Sequence, residues 1–212
     1  MKETAQEYTG AEQSGILLYH GSDHVVPVDE IRFPGPRDSC DFGRAFYTTA
    51  NKHVAEEWVI RQSAPIINIY SFNTSEQHVF RLGKSDWIRV VIGFRTEAYN
   101  VEFKSSIIAG TIANDRMDVS FPAFLAGDIG DIRLFRCLDF CRLGLQYAFR
   151  NSAVGLTFVD SYRLQGAELA RAVARYNNRR NDMEDNLRGI RRMPVPDEKY
   201  IEDYLKMGDY SE

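Results

Sequence analysis

Apolar and polar positions along the chain predict a mixture of short strands and helices. The first fifteen residues, MKETAQEYTGAEQSG, are polar, contain two glycines and read as a flexible leader. The apolar run Ile16 to His20 (ILLYH) predicts a buried strand, closed by a turn at Gly21-Ser22-Asp23. In VVPVDEIRFPGPRDSCD the prolines around Gly35 oppose regular structure, leaving a surface segment able to cover a pocket. FGRAFYTT predicts a short strand, and NKHVAEEWVIRQS a helix with apolar residues Val54, Ala55, Trp58 and Val59.

IINIYSF predicts a further strand, with HVFRL expected to pair with it as a hairpin across NTSEQ. DWIRVVIGFRTEA reads as a helix with Asp86 as its N-cap, SSIIAGTIA as a strand, and Asp128 to Leu143 as a helix stopped by Gly144. LQYAFRN, a short helical turn at SAVGL, and TFVDSY complete a strand, turn and strand unit. Because strands and helices mix without regular alternation, the expected class is α+β rather than a doubly wound parallel sheet.

From Gly166 to Met193 a polar helix carries seven arginines against four acidic residues. An acidic tail follows the Pro194-Val195-Pro196 break. The expected organisation is a leader over 1–15, one domain over 16–163, and a charged helical extension over 164–212. That extension is expected to be solvated, with a partner-binding helix as the alternative.

A chain of 212 residues, 44% hydrophobic and 26% charged, can bury one sizeable core. Its net charge of -4 provides no overall positive field toward nucleic acid or an anionic membrane. No run approaches the roughly 20 apolar residues of a membrane span, and the amino terminus lacks an apolar signal segment, so the cytoplasm is the expected location. Cys40, Cys137 and Cys141 are read as structural thiols, and no metal site is expected.

Two segments call for more than packing. LYHGS offers a ring nitrogen, a close-approach backbone and a hydroxyl within five residues, although a histidine at a strand end also suits a structural role. In GRAFYTT, alternation sends Phe46 and Thr48 to one face and Tyr47 to the other, where a tyrosine also fits a core with its hydroxyl bonded to backbone.

LYHGS followed by DFGRAFYTTANKHVAEEW resembles the opening half of the ADP-ribosyltransferase catalytic domain, shared by poly(ADP-ribose) polymerases and diphtheria-toxin-like enzymes. That pattern has histidine before Gly-Ser, then glycine-x-glycine-x-tyrosine on a strand before a helix; Ala45 stands at the second glycine. LQYAFRNSAVGLTFVDSY is similar to the third motif, with Gln146 where the polymerases carry glutamate. The resemblance covers about residues 16 to 163. Within it LYHGS, DFGRAFY, IIAGTIANDR (Ile107 to Arg116) and QYAF (Gln146 to Phe149) are similar, in that order, to the bacterial DUF3990 family of the same superfamily.

The resemblance implies a split β-sheet core with flanking helices, and NAD as substrate in a cleft between its halves. It implies that His20 hydrogen-bonds the adenosine ribose, Gly21 holds the nicotinamide carboxamide, Ser22 reaches the nicotinamide ribose and Tyr47 stacks on the nicotinamide, with Gly43 in the same cofactor-binding motif. Gln146 keeps a hydrogen bond to a ribose hydroxyl without the charge that would stabilise a cation-like transition state. Asp115 is the candidate substitute carboxylate, with a helix N-cap as the equal alternative, and Arg44 and Arg116 are candidates for the pyrophosphate. The implied activity is transfer of a single ADP-ribose to an acceptor, protein or nucleic acid, in a housekeeping enzyme, a toxin or an effector. The alternatives are a module that binds NAD or ADP-ribose without turnover, an RNA 2'-phosphotransferase-like enzyme, and a purely structural protein.

Overall fold

The computed structural model describes residues 15–35, 40–75, 77–96, 101–113, 120–139 and 141–192. Among these, seven strands join in one sheet: β1 (Ile16–Ser22), β2 (Phe46–Thr49), β3 (Ile66–Phe72), β4 (Val79–Arg81), β5 (Ile107–Thr111), β6 (Leu145–Phe149) and β7 (Leu156–Arg163). Their spatial order is β4-β5-β6-β2-β1-β3-β7, antiparallel throughout except for β4 beside β5. With α1 (Lys52–Val59), α2 (Lys84–Thr96), α3 (Ser120–Leu125), α4 (Asp131–Asp139) and α5 (Gly166–Arg192), the fold is α+β.

Alternation along the strands separates two apolar faces. Ile108, Ala148 and the partly buried Tyr47 pack under Trp87, Ile88, Val90 and Val91 of α2 together with Phe121 of α3 and Leu134, Phe135 and Leu138 of α4. Tyr19 and Ile67 extend this face under Ala55 and Val59 of α1 and Ala172 of α5. The opposite face holds Leu18, Phe46, Tyr70, Phe72, Tyr147 and Phe149. It is closed by Val26 and Ile31, so the proline-containing loop supplies core residues instead of a detached cover.

Several expected elements are displaced. The hairpin of HVFRL on β3 does not form: β1 occupies one edge of β3 from Ile16↔Phe72 to Ser22↔Ile66, and β7 occupies the other. β4 is left to pair in parallel with β5 at the far side of the sheet. Asp86 lies in the first turn of α2 and is not its cap, since the Trp87 N–H already donates to Gly83 O at 2.8 Å. The helix expected from Asp128 begins at Asp131 because Asp128 N and Ile129 N close the end of α3 on Ala123 O. That helix ends at Asp139, ahead of Gly144. On α1, Val54, Ala55 and Val59 are buried as expected, but Trp58 is 36% exposed.

The extension expected to be solvated is docked along its described part. Glu56 and Glu57 of α1 are buried, and buried carboxylates need cationic partners. Arg175 of α5 donates to Glu56, and Arg179 forms an ion pair with Glu57. The helix also buries Ala172 and Met183. The acidic tail and residues 1–14 of the leader lie outside the described residues.

Candidate functional site

β1 pairs with β3 along seven residues but with β2 at one position, Tyr19↔Thr49. Past that pair the sheet opens, and a side chain replaces the ladder. His20 Nδ1 lies 2.7 Å from the Tyr47 carbonyl oxygen. A carbonyl can only accept, so Nδ1 carries a hydrogen and is the donor of this contact. The imidazole also packs on the Phe46 ring, 4.2 Å between centroids.

Tyr47 is turned to the other face, as alternation requires. Its hydroxyl accepts from the Phe42 N–H at 3.0 Å and donates to Gly43 O at 2.6 Å, which closes the loop onto the strand. Burial pushes its pKa well above the ordinary 10.0, reinforced by Cys40 and Asp41. The hydroxyl end of the ring is therefore held by backbone, and the half-buried side chain packs beside Phe42. Gly43 has φ +76° and faces the Phe94 ring, where a Cβ would come within 2.6 Å of Cε1. Conformation and packing explain that glycine without a ligand.

Gly21 and Ser22 are also committed within the fold. A Cβ on Gly21 would lie 2.3 Å from Val59 Cγ1 and 2.8 Å from Ala55 O, so α1 rests directly on this residue. Ser22 Oγ donates to His24 O and accepts from Asn68 Nδ2 at 2.9 Å. Asn68 is fully buried, stands opposite His20 across the β1–β3 ladder, and accepts the Val26 N–H on Oδ1 at 2.8 Å. Asn68 is not among the residues the motifs point to; its signal in the sequence is a lone amide inside the apolar run IINIYSF.

Gln146 opens the buried part of β6 and pairs with Thr49, so Tyr19, Thr49 and Gln146 form one row across β1, β2 and β6. It is 4% exposed, and its Nε2 donates to Asp41 Oδ2 and to Thr111 O. Arg95 of α2 donates to the other oxygen of Asp41. The sequence offered no sign of this trio, because its members are far apart along the chain.

Arg44 lies elsewhere. Its Nε donates to Gly35 O at 2.9 Å, and it borders an open cavity of about 480 Å³ with Phe94, Phe103 and Arg150. Asp115 and Arg116 fall outside the described residues. The structure thus joins the His20 ring to the Tyr47 backbone carbonyl, turns the Tyr47 side chain to the face that also carries Gln146, and places Arg44 at a cavity whose lining includes none of the three. Among the described residues, no cluster of three or more histidine, cysteine or acidic side chains is placed to hold a metal, and the three cysteines form no disulfide. No helix in the described residues is long and apolar enough to cross a membrane.

Comparison with curated proteins and with solved structures gives no match. Comparison with protein families gives one described as a protein of unknown function, DUF3990, over residues 16–157. That span runs from the first residue of β1 into the start of β7 and includes His20, Tyr47, Asp41, Arg95 and Gln146. The chain belongs to the DUF3990 family.

Proposed function

We propose that this chain binds NAD where β1 and β2 part, and that it transfers ADP-ribose from NAD to an acceptor as a mono-ADP-ribosyltransferase. The observation that carries the reading is the single Tyr19↔Thr49 pair between β1 and β2, with His20 and Tyr47 joined where that ladder ends. The resemblance to ADP-ribosyltransferases calls for a cleft between two halves of the sheet, with His20 toward the adenosine ribose and Tyr47 toward the nicotinamide. The aromatic ring of Tyr47 suits stacking on nicotinamide, and Gln146, in the same row as the Tyr19↔Thr49 pair, suits a hydrogen bond to the ribose. The specificity of transfer then lies in the acceptor, a protein or a nucleic acid.

A second reading is a module that binds NAD or ADP-ribose without turnover. Gln146 favours it, since a neutral amide, already donating to Asp41, places no formal charge of its own beside a developing cation. For the RNA 2'-phosphotransferase reading, two of the seven arginines on the arginine-rich helix, Arg175 and Arg179, are paired with Glu56 and Glu57.

Titration with NAD followed by thermal unfolding tests binding: a ligand held only by the folded state adds RT ln(1 + [L]/Kd), about 2.7 kcal/mol at a hundred times Kd. Nicotinamide release from labelled NAD tests turnover. Binding with release supports the transferase, binding without release the module, and the absence of both removes NAD from the site. Asp115→Asn joins the series: a large fall in release with binding intact would assign Asp115 to the chemistry.

A further inference from the structure

We infer that Asp41 is the positioning residue of this site: it orients the carboxamide of Gln146, and its carboxylate is compatible with an amide, not a second carboxylate, at that place on β6. The part that concerns the ligand rests on the NAD reading above. The part that concerns the pairing stands on geometry alone.

Asp41 is 4% exposed, and donors converge on both its oxygens. Arg95 Nε reaches Oδ1 at 2.7 Å, and Arg95 Nη2 bonds the same oxygen. Oδ2 accepts from the Ala113 N–H at 2.9 Å and from Gln146 Nε2. Arg95 further donates to Ala113 O at 3.0 Å. One buried carboxylate thereby fastens the loop before β2 to α2, to the end of β5 and to β6. Its charge is balanced by a guanidinium whose side chain is 9% exposed.

Gln146 has two hydrogen-bond acceptors at one end of its amide, the Asp41 carboxylate and the Thr111 carbonyl at 3.3 Å. Neither can donate, so the NH₂ end must face them and Oε1 is turned away. An amide that donates to an anion is polarised, and its oxygen becomes a stronger acceptor. Accepting a hydrogen bond from a ribose hydroxyl is the task the site asks of this residue. A glutamate at the same place would bring a second carboxylate against Asp41 with one guanidinium between them, and adjacent like charges do not both ionise. A glutamine at this place on β6 is compatible with the carboxylate contributed by the loop.

The test uses the full chain and Gln146→Glu, with thermal midpoints measured between about pH 5 and pH 8. The introduced carboxyl and Asp41 would share a proton in the folded state that the unfolded chain has lost, so the midpoint falls relative to wild type as the pH rises. In the exchanged variant Asp41→Asn/Gln146→Glu, amide and carboxylate trade places, the extra pH slope disappears and the midpoint at about pH 8 recovers. A loss independent of pH, or a slope that persists in the exchanged variant, overturns the pairing whether or not NAD binds. Asp41→Asn alone is expected to keep the NAD-induced thermal shift while nicotinamide release drops roughly tenfold, and the exchanged variant restores release. Release equal to wild type in Asp41→Asn overturns the positioning role. If Asp41→Asn does not fold, the Gln146→Glu series and the exchanged variant still decide. A wild type that neither binds NAD nor releases nicotinamide removes the ligand-facing part and the proposed function together, leaving the pH series to judge the pairing.

Discussion

The Tyr47 carbonyl, 2.7 Å from His20 Nδ1, takes from a side chain the hydrogen bond that a continuing β-ladder would have supplied. Tyr19↔Thr49 is the last pair between the two strands, and Tyr47 lies beyond it on β2. A partly buried carbonyl needs a donor. His20 meets that need through Nδ1, which must therefore carry a hydrogen.

His20→Phe keeps an aromatic ring against Phe46 but removes the donor. It should cost about 1–3 kcal/mol in urea unfolding, the penalty for a buried acceptor left without its partner. NAD binding should weaken in parallel. Unchanged stability would show that the bond contributes nothing to holding β1 and β2.

Tyr47→Phe retains the ring and removes a hydroxyl that both accepts from Phe42 N–H and donates to Gly43 O. Stability should fall by about 1–3 kcal/mol while the NAD-induced shift persists, whereas Tyr47→Ala should lose both. The pH dependence has a definite sign. Burial raises the phenol above 10.0 in the folded state, so its contribution is present below that pH and is lost as the pH rises past it. Alkaline denaturation curves should be shallower for Tyr47→Phe than for wild type; superimposed curves would refute the assignment.

At Gly21 the space for a side chain is taken by α1. Gly21→Ala places a methyl 2.3 Å from Val59 Cγ1 and should destabilise by about 1–3 kcal/mol through overpacking. Adding Val59→Ala should return part of that loss, and the remainder reflects Ala55 O at 2.8 Å, which cannot be trimmed. Independent, additive effects of the two substitutions in a double-mutant cycle would rule out the contact as the cause.

Glu56 and Glu57, adjacent on α1, should respond to acid in opposite senses. For Glu56, burial works to raise the pKa, but hydrogen bonds with His53 and Tyr162 and the charge of Arg175 bring it below the ordinary 4.5. Its stabilisation is present above that value and is lost as the pH falls through the lower folded one. For Glu57, burial outweighs Arg179 and Arg175 and raises the pKa. Its ionisation-linked stability is present below the ordinary value and is lost as the pH rises through the higher one. Between about pH 3.5 and 7.5, the cost of Glu56→Gln should therefore grow with pH and that of Glu57→Gln should shrink. Parallel slopes would contradict the two environments.

Local pattern alone determined much of this protein. The apolar run ILLYH, the alternation that sends Phe46 and Tyr47 to opposite faces, and the helical spacing of Val54, Ala55 and Val59 each depend on residues within a few positions of one another. The same short-range information identified LYHGS, DFGRAFY and QYAF, and the DUF3990 family span contains all three. Tertiary structure decided which groups those motifs meet. Which edge of β3 is available depends on β1 and β7, so the expected hairpin gave way to a parallel β4–β5 pair. Whether an arginine-rich helix is solvated depends on two carboxylates on α1 that need partners, and α5 supplies them. Asp41 and Gln146 are 105 residues apart, and no periodicity relates them; burial does, because a carboxylate removed from water must gather every donor the fold brings within reach.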